Sequence, residues 1–298
     1  MLFEMSEICL IFGGNGQDGY YLGEQLSRYG AKVIKISRTS GDVLGDVSSY
    51  SVVAELVEKY RPKYIFHVAA TSSTRHEAIL ENYHAIVIGA CNILEAVKRF
   101  SDKTKVLIAG SGLQFVNTGS PISEYDAFCS GNAYSLTRNS ATECARYYRS
   151  LGISVYLGYL FHHESPLRKT THISKKISLA AQRIAAGSPE KLEVGNAAVK
   201  KEWAFAGDIA EGMIALISQD RVFEATIGTG VGYTIEDWLT ACFSIVGLKW
   251  QEHVFFSHDF SPEYVSLVSN PSTIFGLGWR PRTSFEVLAD MMMRPNDF

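Results

Sequence analysis

Residues 8–22, ICLIFGGNGQDGYYL, decide the fold of this chain. Five apolar residues followed at once by glycines predict a buried strand that ends in a turn, and the GYYLGEQLSRYG segment that follows has a helical apolar pattern. Small residues between a strand and a helix let backbone N–H groups approach a pyrophosphate, whose charge the helix N-terminus favours. A simple tight turn is the alternative, but the position of the loop favours a dinucleotide site. We expect the cofactor to contact Gly13, Asn15, Gly16, Gln17, Asp18 and Gly19.

The rest of the first half alternates apolar and amphipathic segments. AKVIKIS, KYIFHVAA, KVLIAGS and ISVYLGYLF are predicted strands, and the segments between them are predicted helices. This alternation predicts an α/β fold of the Rossmann type, a doubly wound parallel sheet covered by helices on both faces. After about residue 160 the pattern loosens. We expect an NADP(H)-binding domain over residues 1–160 and a smaller mixed α/β substrate lobe over residues 161–298, with some segments shared between them.

The composition of the chain excludes several classes of protein. It has 298 residues, 46% of them hydrophobic, and a net charge of −3 without a Lys/Arg run, which argues against nucleic acid as a partner. Five scattered cysteines form no C-x-x-C pair, so neither a disulfide framework nor a zinc ribbon is expected. No apolar run has membrane-spanning length, and the first residues carry acids but no basic region. We therefore expect a cytoplasmic protein without a membrane partner.

The end of the second predicted strand indicates which dinucleotide binds. An acid there would bind the ribose 2′-hydroxyl of NAD, whereas an arginine suits a 2′-phosphate. This strand ends with Ser37 and Arg38, which favours NADP(H) over NAD(H); a solvated arginine on a turn is the alternative. Further cofactor contacts are expected from the GDV and VAATS segments, namely from Asp46, Val47, Ala69, Ala70 and Thr71.

Several segments together resemble one family. GQDGYYL is similar to the glycine loop of the GDP-mannose 4,6-dehydratases, a branch of the extended short-chain dehydrogenases. LFHHESPLR (160–168), ISKKI (173–177), GNAAVKKEWAFAGDIAEGM (195–213) and LGWRPRTSFEVL (277–288) are similar to further signatures of that family. The resemblance covers nearly the whole chain, and the HESP segment (residues 163–166) is its most specific part. It implies a Rossmann domain and a smaller lobe that binds a nucleotide sugar, usually a GDP-sugar.

The resemblance also assigns catalytic roles. In the family a tyrosine transfers a proton, a lysine four residues later holds the nicotinamide ribose, and a serine or threonine steadies the sugar. Here these positions are Tyr134, Arg138 and Ser111. Arg138 keeps a positive charge one helical turn from Tyr134, but it cannot exchange a proton near neutral pH. Leu160 and His163 join Tyr134 and Arg138 as expected cofactor contacts.

Other positions depart from the family. The dehydratase carries a glutamate two residues after the Ser/Thr position, where it removes a proton next to the 4-keto group; this chain has Leu113, and residues 103–123 contain no acid. In the substrate site Lys201 replaces an arginine, and Ser261 stands where an arginine is usual. The expected substrate contacts are Ser111, Gln114, His162, Glu164, Arg168, Lys175, Lys176 and Lys201. The spacing of the histidines fits no metal site.

Three hypotheses follow from this reading. The first is an NADP(H)-dependent oxidoreductase that acts on a nucleotide-linked sugar, at C4 of a GDP-4-keto-6-deoxy sugar or its alcohol. The second is a 4,6-dehydratase that obtains its base elsewhere, and the third is a non-catalytic paralogue that binds nucleotide or a partner enzyme. Relatives pair through the catalytic helix and its neighbour, and the short segment between Arg38 and Asp46 lacks an insertion that supports tetramers, so we expect a homodimer.

Overall fold

The computed structural model describes residues 7–257 and 262–294. Its strands are β1 (Ile8–Phe12), β2 (Lys32–Ser37), β3 (Val43–Leu44), β4 (Tyr64–His67), β5 (Lys105–Ser111), β6 (Val155–Leu160), β7 (His163–Glu164), β8 (Leu192–Val194), β9 (Lys200–Glu202), β10 (Ala204–Phe205), β11 (Glu224–Ile227), β12 (Gly232–Thr234), β13 (Val254–Phe256) and β14 (Ser266–Leu267). Its α-helices are α1 (Gln17–Arg28), α2 (Tyr50–Tyr60), α3 (Ile79–Asn82), α4 (Gly89–Phe100), α5 (Ala133–Ser150), α6 (Ile173–Ala185), α7 (Ala206–Ile217), α8 (Ile235–Ile245), α9 (Ser272–Gly276) and α10 (Phe285–Met293). A π-helical turn, Tyr83–Ile88, joins α3 to α4.

Seven parallel strands form the central sheet, in the order β11-β6-β5-β4-β1-β2-β3. Both faces are covered. Helices α1 and α7 pack on one face through residues such as Leu22 and Met213, and α2, α4 and α5 pack on the other through residues such as Val53 and Ile93. Burial on both faces explains why the strands read as continuous apolar runs. The predicted doubly wound parallel sheet is confirmed.

Segments from beyond residue 160 return to this sheet. Strand β11 pairs with β6 at the sheet edge, and α7 packs against α1. The remaining segments form a smaller lobe around a third apolar cluster, to which α6, α8 and α10 contribute. The indole rings of Trp203 and Trp238 stack there with their centroids 4.4 Å apart. In this lobe β7 pairs with β10, β8 with β13, and β9 with β12 and β14.

The capping residues define several helix ends. Gly30 follows α1 in the left-handed conformation, at φ +88°, as a C-terminal glycine stop requires. Helix α5 begins at a reciprocal capping box between Asn132 and Ser135. Helix α8 has a comparable box between Thr234 and Asp237. In the described ranges, no helix combines the length and apolar character needed to cross a bilayer.

Candidate active site

The glycine loop lies between β1 and α1 at the carboxyl end of the sheet. Gly13 has φ +94°, and a Cβ there would lie 2.7 Å from the Ala69 backbone nitrogen. At Gly19 a Cβ would lie 2.3 Å from the Gly13 carbonyl oxygen. Larger residues are therefore excluded at both positions. Helix α1 begins after Gly16, which has no side chain to cap it. The backbone N–H groups of its first turn therefore suit a phosphate group.

A cavity of about 650 Å³ opens beside this loop. Its lining includes eight of the predicted cofactor residues: Gly13, Asn15, Gly16, Arg38, Asp46, Val47, Ala69 and Ala70. Burial raises the pKa of Asp46, but hydrogen bonds from Ser48 together with the charges of Arg38 and His84 leave it below its ordinary value. The cavity and its glycine cradle fit a nicotinamide dinucleotide at its adenosine and pyrophosphate end.

Sequence reasoning did not identify three ionisable residues that line this cavity. Glu81 and His84 come from the helical segment before α4, and Lys169 comes from the loop before α6. None belongs to a glycine motif, and only the fold brings them to the loop. Predicted residues Thr71, Leu160 and His163 do not line the cavity; Leu160 is buried in the core.

The side chains of Gln17 and Asp18 contact the HESP segment. Asp18 Oδ1 lies 2.8 Å from His163 Nε2, and the Ser165 hydroxyl donates a 2.8 Å hydrogen bond to Gln17 Oε1. Burial opposes the charged forms, but the pair lowers the pKa of Asp18 to about 2 and raises that of His163. The side chains of Asp18 and His163 thus form a bridge between the glycine loop and the HESP segment, and their predicted cofactor contacts stay predictions.

A buried charge cluster continues from this bridge. Glu164 has no exposed surface; its carboxylate accepts a 2.6 Å hydrogen bond from Arg168 Nε and lies 2.8 Å from His162 Nε2. Burial would raise the pKa of Glu164, yet Arg168 and His162 hold it well below its ordinary range. Arg168 also donates to the His163 carbonyl oxygen. The predicted substrate residues His162, Glu164 and Arg168 therefore bind one another and fix the segment that links the lobes.

A second cavity, of about 760 Å³, lies in the smaller lobe. Lys176 and Lys201 line it, together with Asn196 and Tyr264. Burial lowers the pKa of Lys201 to about 8, and its Nζ lies 4.7 Å from the Trp203 ring centroid. Lys175 does not line the cavity; its Nζ donates a 3.1 Å hydrogen bond to the Pro166 carbonyl oxygen. The two lining lysines could neutralise a diphosphate, whereas Ser261, the other noted departure, lies outside the described residues.

Tyr134 and Arg138 lie on the first two turns of α5, next to the end of β5. The Arg138 guanidinium carbon lies 5.0 Å from the Tyr134 ring centroid, within the range of a cation–π contact. Arg138 Nη1 donates to the Ala109 carbonyl oxygen, and its Nε has no partner among the described residues. Both side chains are nearly buried. This arrangement brings together the phenol and the cation that the sequence predicts, with the cation anchored on β5.

The end of β5 carries Ser111, and the short 3₁₀ turn Gly112–Gln114 follows it. The Gln114 side chain accepts a 2.7 Å hydrogen bond from Ser111 N and donates to Asn139 and Thr142 at 3.1 and 3.0 Å. It has no exposed surface. The predicted substrate contact of Gln114 is not supported, because this amide joins the turn to α5. Ser111 remains partly exposed and is the residue of this turn suited to bind a substrate oxygen.

Two other buried carboxylates, Glu124 and Glu202, accept hydrogen bonds from residues of the chain. Glu124 accepts hydrogen bonds from the backbone and hydroxyl of Thr226 at 3.1 and 3.2 Å and from the Thr273 hydroxyl. Glu202 accepts from Ser269 N and Oγ, both at 2.6 Å, and from the Gly230 N. Because both carboxylates are engaged in these hydrogen bonds, neither is free to act as the base that the family's glutamate supplies at the position of Leu113.

Known proteins match this chain over nearly its full length. A model of the family described as GDP-mannose 4,6 dehydratase matches residues 10–292. The chain belongs to the GDP-mannose 4,6-dehydratase family. GDP-mannose 4,6 dehydratase 1 of Arabidopsis thaliana is 30% identical over an alignment of 320 positions, gaps included. The alignment covers 96% of this chain and 89% of that protein. The resemblance expected from the HESP and glycine-loop signatures is confirmed.

Solved structures with this fold include members with either dinucleotide. The UDP-glucose 4-epimerase of Thermus thermophilus in complex with NAD is 20% identical, with a TM-score of 0.82 over 96% of this chain and 97% of that one. RMD from Pseudomonas aeruginosa complexed with NADPH is 17% identical, with a TM-score of 0.84 over 97% of both chains. These two likenesses show the shared fold. Membership of the GDP-mannose 4,6-dehydratase family identifies the chain as an enzyme of the NAD(P)-dependent epimerase/dehydratase type.

Proposed function

We propose that this protein is an NADP(H)-dependent oxidoreductase that interconverts a keto group and an alcohol at C4 of a GDP-linked sugar. The observation that carries the proposal is the contrast at the end of β5. Tyr134, Arg138 and Ser111 retain a proton donor, a cation and a hydroxyl, whereas the position of the family's eliminating base holds Leu113.

The proposed chemistry divides between the cofactor and the side chains. When bound, the nicotinamide nucleotide supplies hydride transfer to or from the sugar carbon. The Tyr134 hydroxyl donates the proton to the carbonyl oxygen during reduction, or removes it from the hydroxyl during oxidation. Ser111 binds the same oxygen. Arg138 favours the negative charge that develops on the phenol, because its guanidinium stays charged and lies beside the ring.

The preference for NADP(H) rests on Arg38. This exposed guanidinium lines the cofactor cavity beside Ser37 and Thr39, where a 2′-phosphate can accept forked hydrogen bonds. Asp42, the first acid after β2, accepts a hydrogen bond from the Lys35 backbone nitrogen at 2.8 Å. The preference is tested by comparing NADPH and NADH affinities by calorimetry; tighter binding of NADH would overturn it.

A GDP-sugar is the proposed substrate, held by Lys176 and Lys201 in the second cavity. We infer that the chain forms a homodimer through α5 and the helical segment before α4, because exposed apolar side chains lie there. Leu80, Tyr83, Ile88, Leu136 and Tyr147 are at least one-third exposed. Light scattering tests this assembly, and a monomer or tetramer would contradict it.

The reaction is tested by incubating the protein with NADPH and GDP-4-keto-6-deoxy sugars, and separately with GDP-mannose. We expect oxidation of NADPH and a product mass increased by two hydrogens with the keto sugars. A 4,6-dehydratase would instead release water from GDP-mannose without net change of the cofactor. Leu113→Glu is the informative variant, since it restores a carboxylate at the family position. Water loss by the unaltered protein, or ligand binding without any turnover, would overturn the proposal.

A further inference from the structure

Lys169 lies at the cofactor cavity although it belongs to the loop before α6 in the smaller lobe. It lines the same cavity as Gly13, Gly16 and Arg38. Its side chain is exposed, and none of the ion pairs between described residues includes it. An ammonium group without a carboxylate partner, at a cavity built from a glycine loop, suits an anionic ligand.

The residues around Lys169 fix its position relative to the glycine loop. The preceding residue, Arg168, is held by Glu164 and by the His163 carbonyl oxygen. His163 in turn contacts Asp18 at the start of α1. A continuous set of part-buried polar contacts therefore joins the first turn of α1 to Arg168, so the Lys169 backbone cannot move far from the cavity without breaking them.

The charges along the cavity add to this argument. Arg38 and Lys169 are its two permanently cationic side chains in the described lining, and they come from different lobes. The acids of the lining are Asp46, which hydrogen-bonds Ser48, and Glu81. A dinucleotide with a pyrophosphate and a ribose 2′-phosphate carries enough negative charge to engage both cations.

We propose that Lys169 is a phosphate-binding residue of the cofactor site, contributed by the substrate lobe, and that cofactor binding thereby secures the HESP segment against the glycine loop. This inference rests on the proposed NADP(H) function. It assigns a phosphate contact of the cofactor to the smaller lobe. The consequence is that the affinity for the cofactor depends on a residue outside the Rossmann domain.

Equilibrium binding of NADPH and NADH to the full-length protein tests the inference without any turnover. We expect Lys169→Ala to weaken NADPH binding about tenfold, as expected for one charged hydrogen bond, and to make the affinity less dependent on salt concentration. Lys169→Arg should retain most of the affinity. Lys103→Ala is the matched control, because that lysine is exposed and lines neither cavity, and the NADPH affinity of this variant should equal that of the unaltered protein.

The outcomes separate this inference from the proposed function. An equal loss for NADPH and NADH places the Lys169 ammonium on the pyrophosphate, and a loss confined to NADPH places it on the 2′-phosphate; either supports the inference. If the unaltered protein binds NADPH and Lys169→Ala binds both dinucleotides equally well, the inference is wrong while the cofactor assignment stands. If the unaltered protein binds neither dinucleotide, the proposed function itself fails.

Discussion

The two ends of the active site differ in how they are built. At the glycine loop, backbone geometry forms an open cavity, and single atoms at Gly13 and Gly19 decide whether the chain can adopt it. At the end of β5, side chains form the site. Tyr134, Arg138 and Gln114 are buried there, Arg138 and Gln114 donate hydrogen bonds to neighbouring residues, and Arg138 lies beside the Tyr134 ring. The first region is a cavity formed by the backbone, and the second is a packed cluster of side chains.

The largest effect that separates the two regions is expected from Tyr134→Phe. Loss of the hydroxyl removes the proton donor, so turnover should fall by roughly 10²–10⁴-fold. Affinity for NADPH should fall far less than turnover, because the cavity for the adenosine and pyrophosphate end of the cofactor does not include this side chain. Rates and calorimetric affinities measured on the same preparation check this. A variant with full turnover would show that the proton comes from another group.

A second effect concerns the free energy of unfolding at acidic pH. His67, at the end of β4, is fully buried, and burial lowers its pKa to about 4, with Arg138 contributing in the same direction. Between pH 6.5 and 4 the unfolded chain binds a proton that the folded chain does not, so the free energy of unfolding falls as the pH falls. The contribution of His67 is up to about 3 kcal/mol at the end of that range.

Urea denaturation across this pH range measures the effect. His67→Asn should make the free energy of unfolding less dependent on pH, whereas His76→Gln, at an exposed histidine, should leave the dependence unchanged. Equal slopes for all three proteins would show that His67 does not govern the acid response.

The bridge between the lobes should have a smaller effect. Asp18→Asn removes the charge that faces His163, so the unfolding free energy should fall by about 2 kcal/mol at neutral pH. The pKa of His163, followed by NMR, should fall as well, because Asp18 raises it in the folded protein. Glu24→Gln on the same helix is the control. Unaltered stability together with an unaltered histidine titration would contradict a bridge between Asp18 and His163.

The smallest effect is expected from Arg138→Lys. This change restores the residue that the family carries and keeps a positive charge one turn from Tyr134. Turnover and NADPH affinity should each change by less than about tenfold. Arg138→Gln, which removes the charge, is the comparison and should reduce turnover further. If the lysine variant is as impaired as the glutamine variant, the hydrogen bond from Arg138 Nη1 to the Ala109 carbonyl oxygen matters more than the charge.

The difference between the two regions also explains what the sequence could predict. Spacing and periodicity predicted the doubly wound sheet, which is confirmed, and the glycine loop between β1 and α1, because backbone geometry fixes those features locally. The partners of Asp18 and Gln114 could not be found in this way, since each binds side chains that are distant in sequence. Lys169 shows the same limit, because a lysine in a loop gives no signal until the fold places it at a cavity.

Strand β11 pairs with β6 but is synthesised well after it. The nascent chain presents β6 with an unpaired edge and α1 without its cover until Glu224–Ile227 and α7 have left the ribosome. An exposed parallel-strand edge of this kind invites association with other chains while it waits. The interval between synthesis of β6 and β11 is therefore the period in which the β6 edge is open to pairing with another chain.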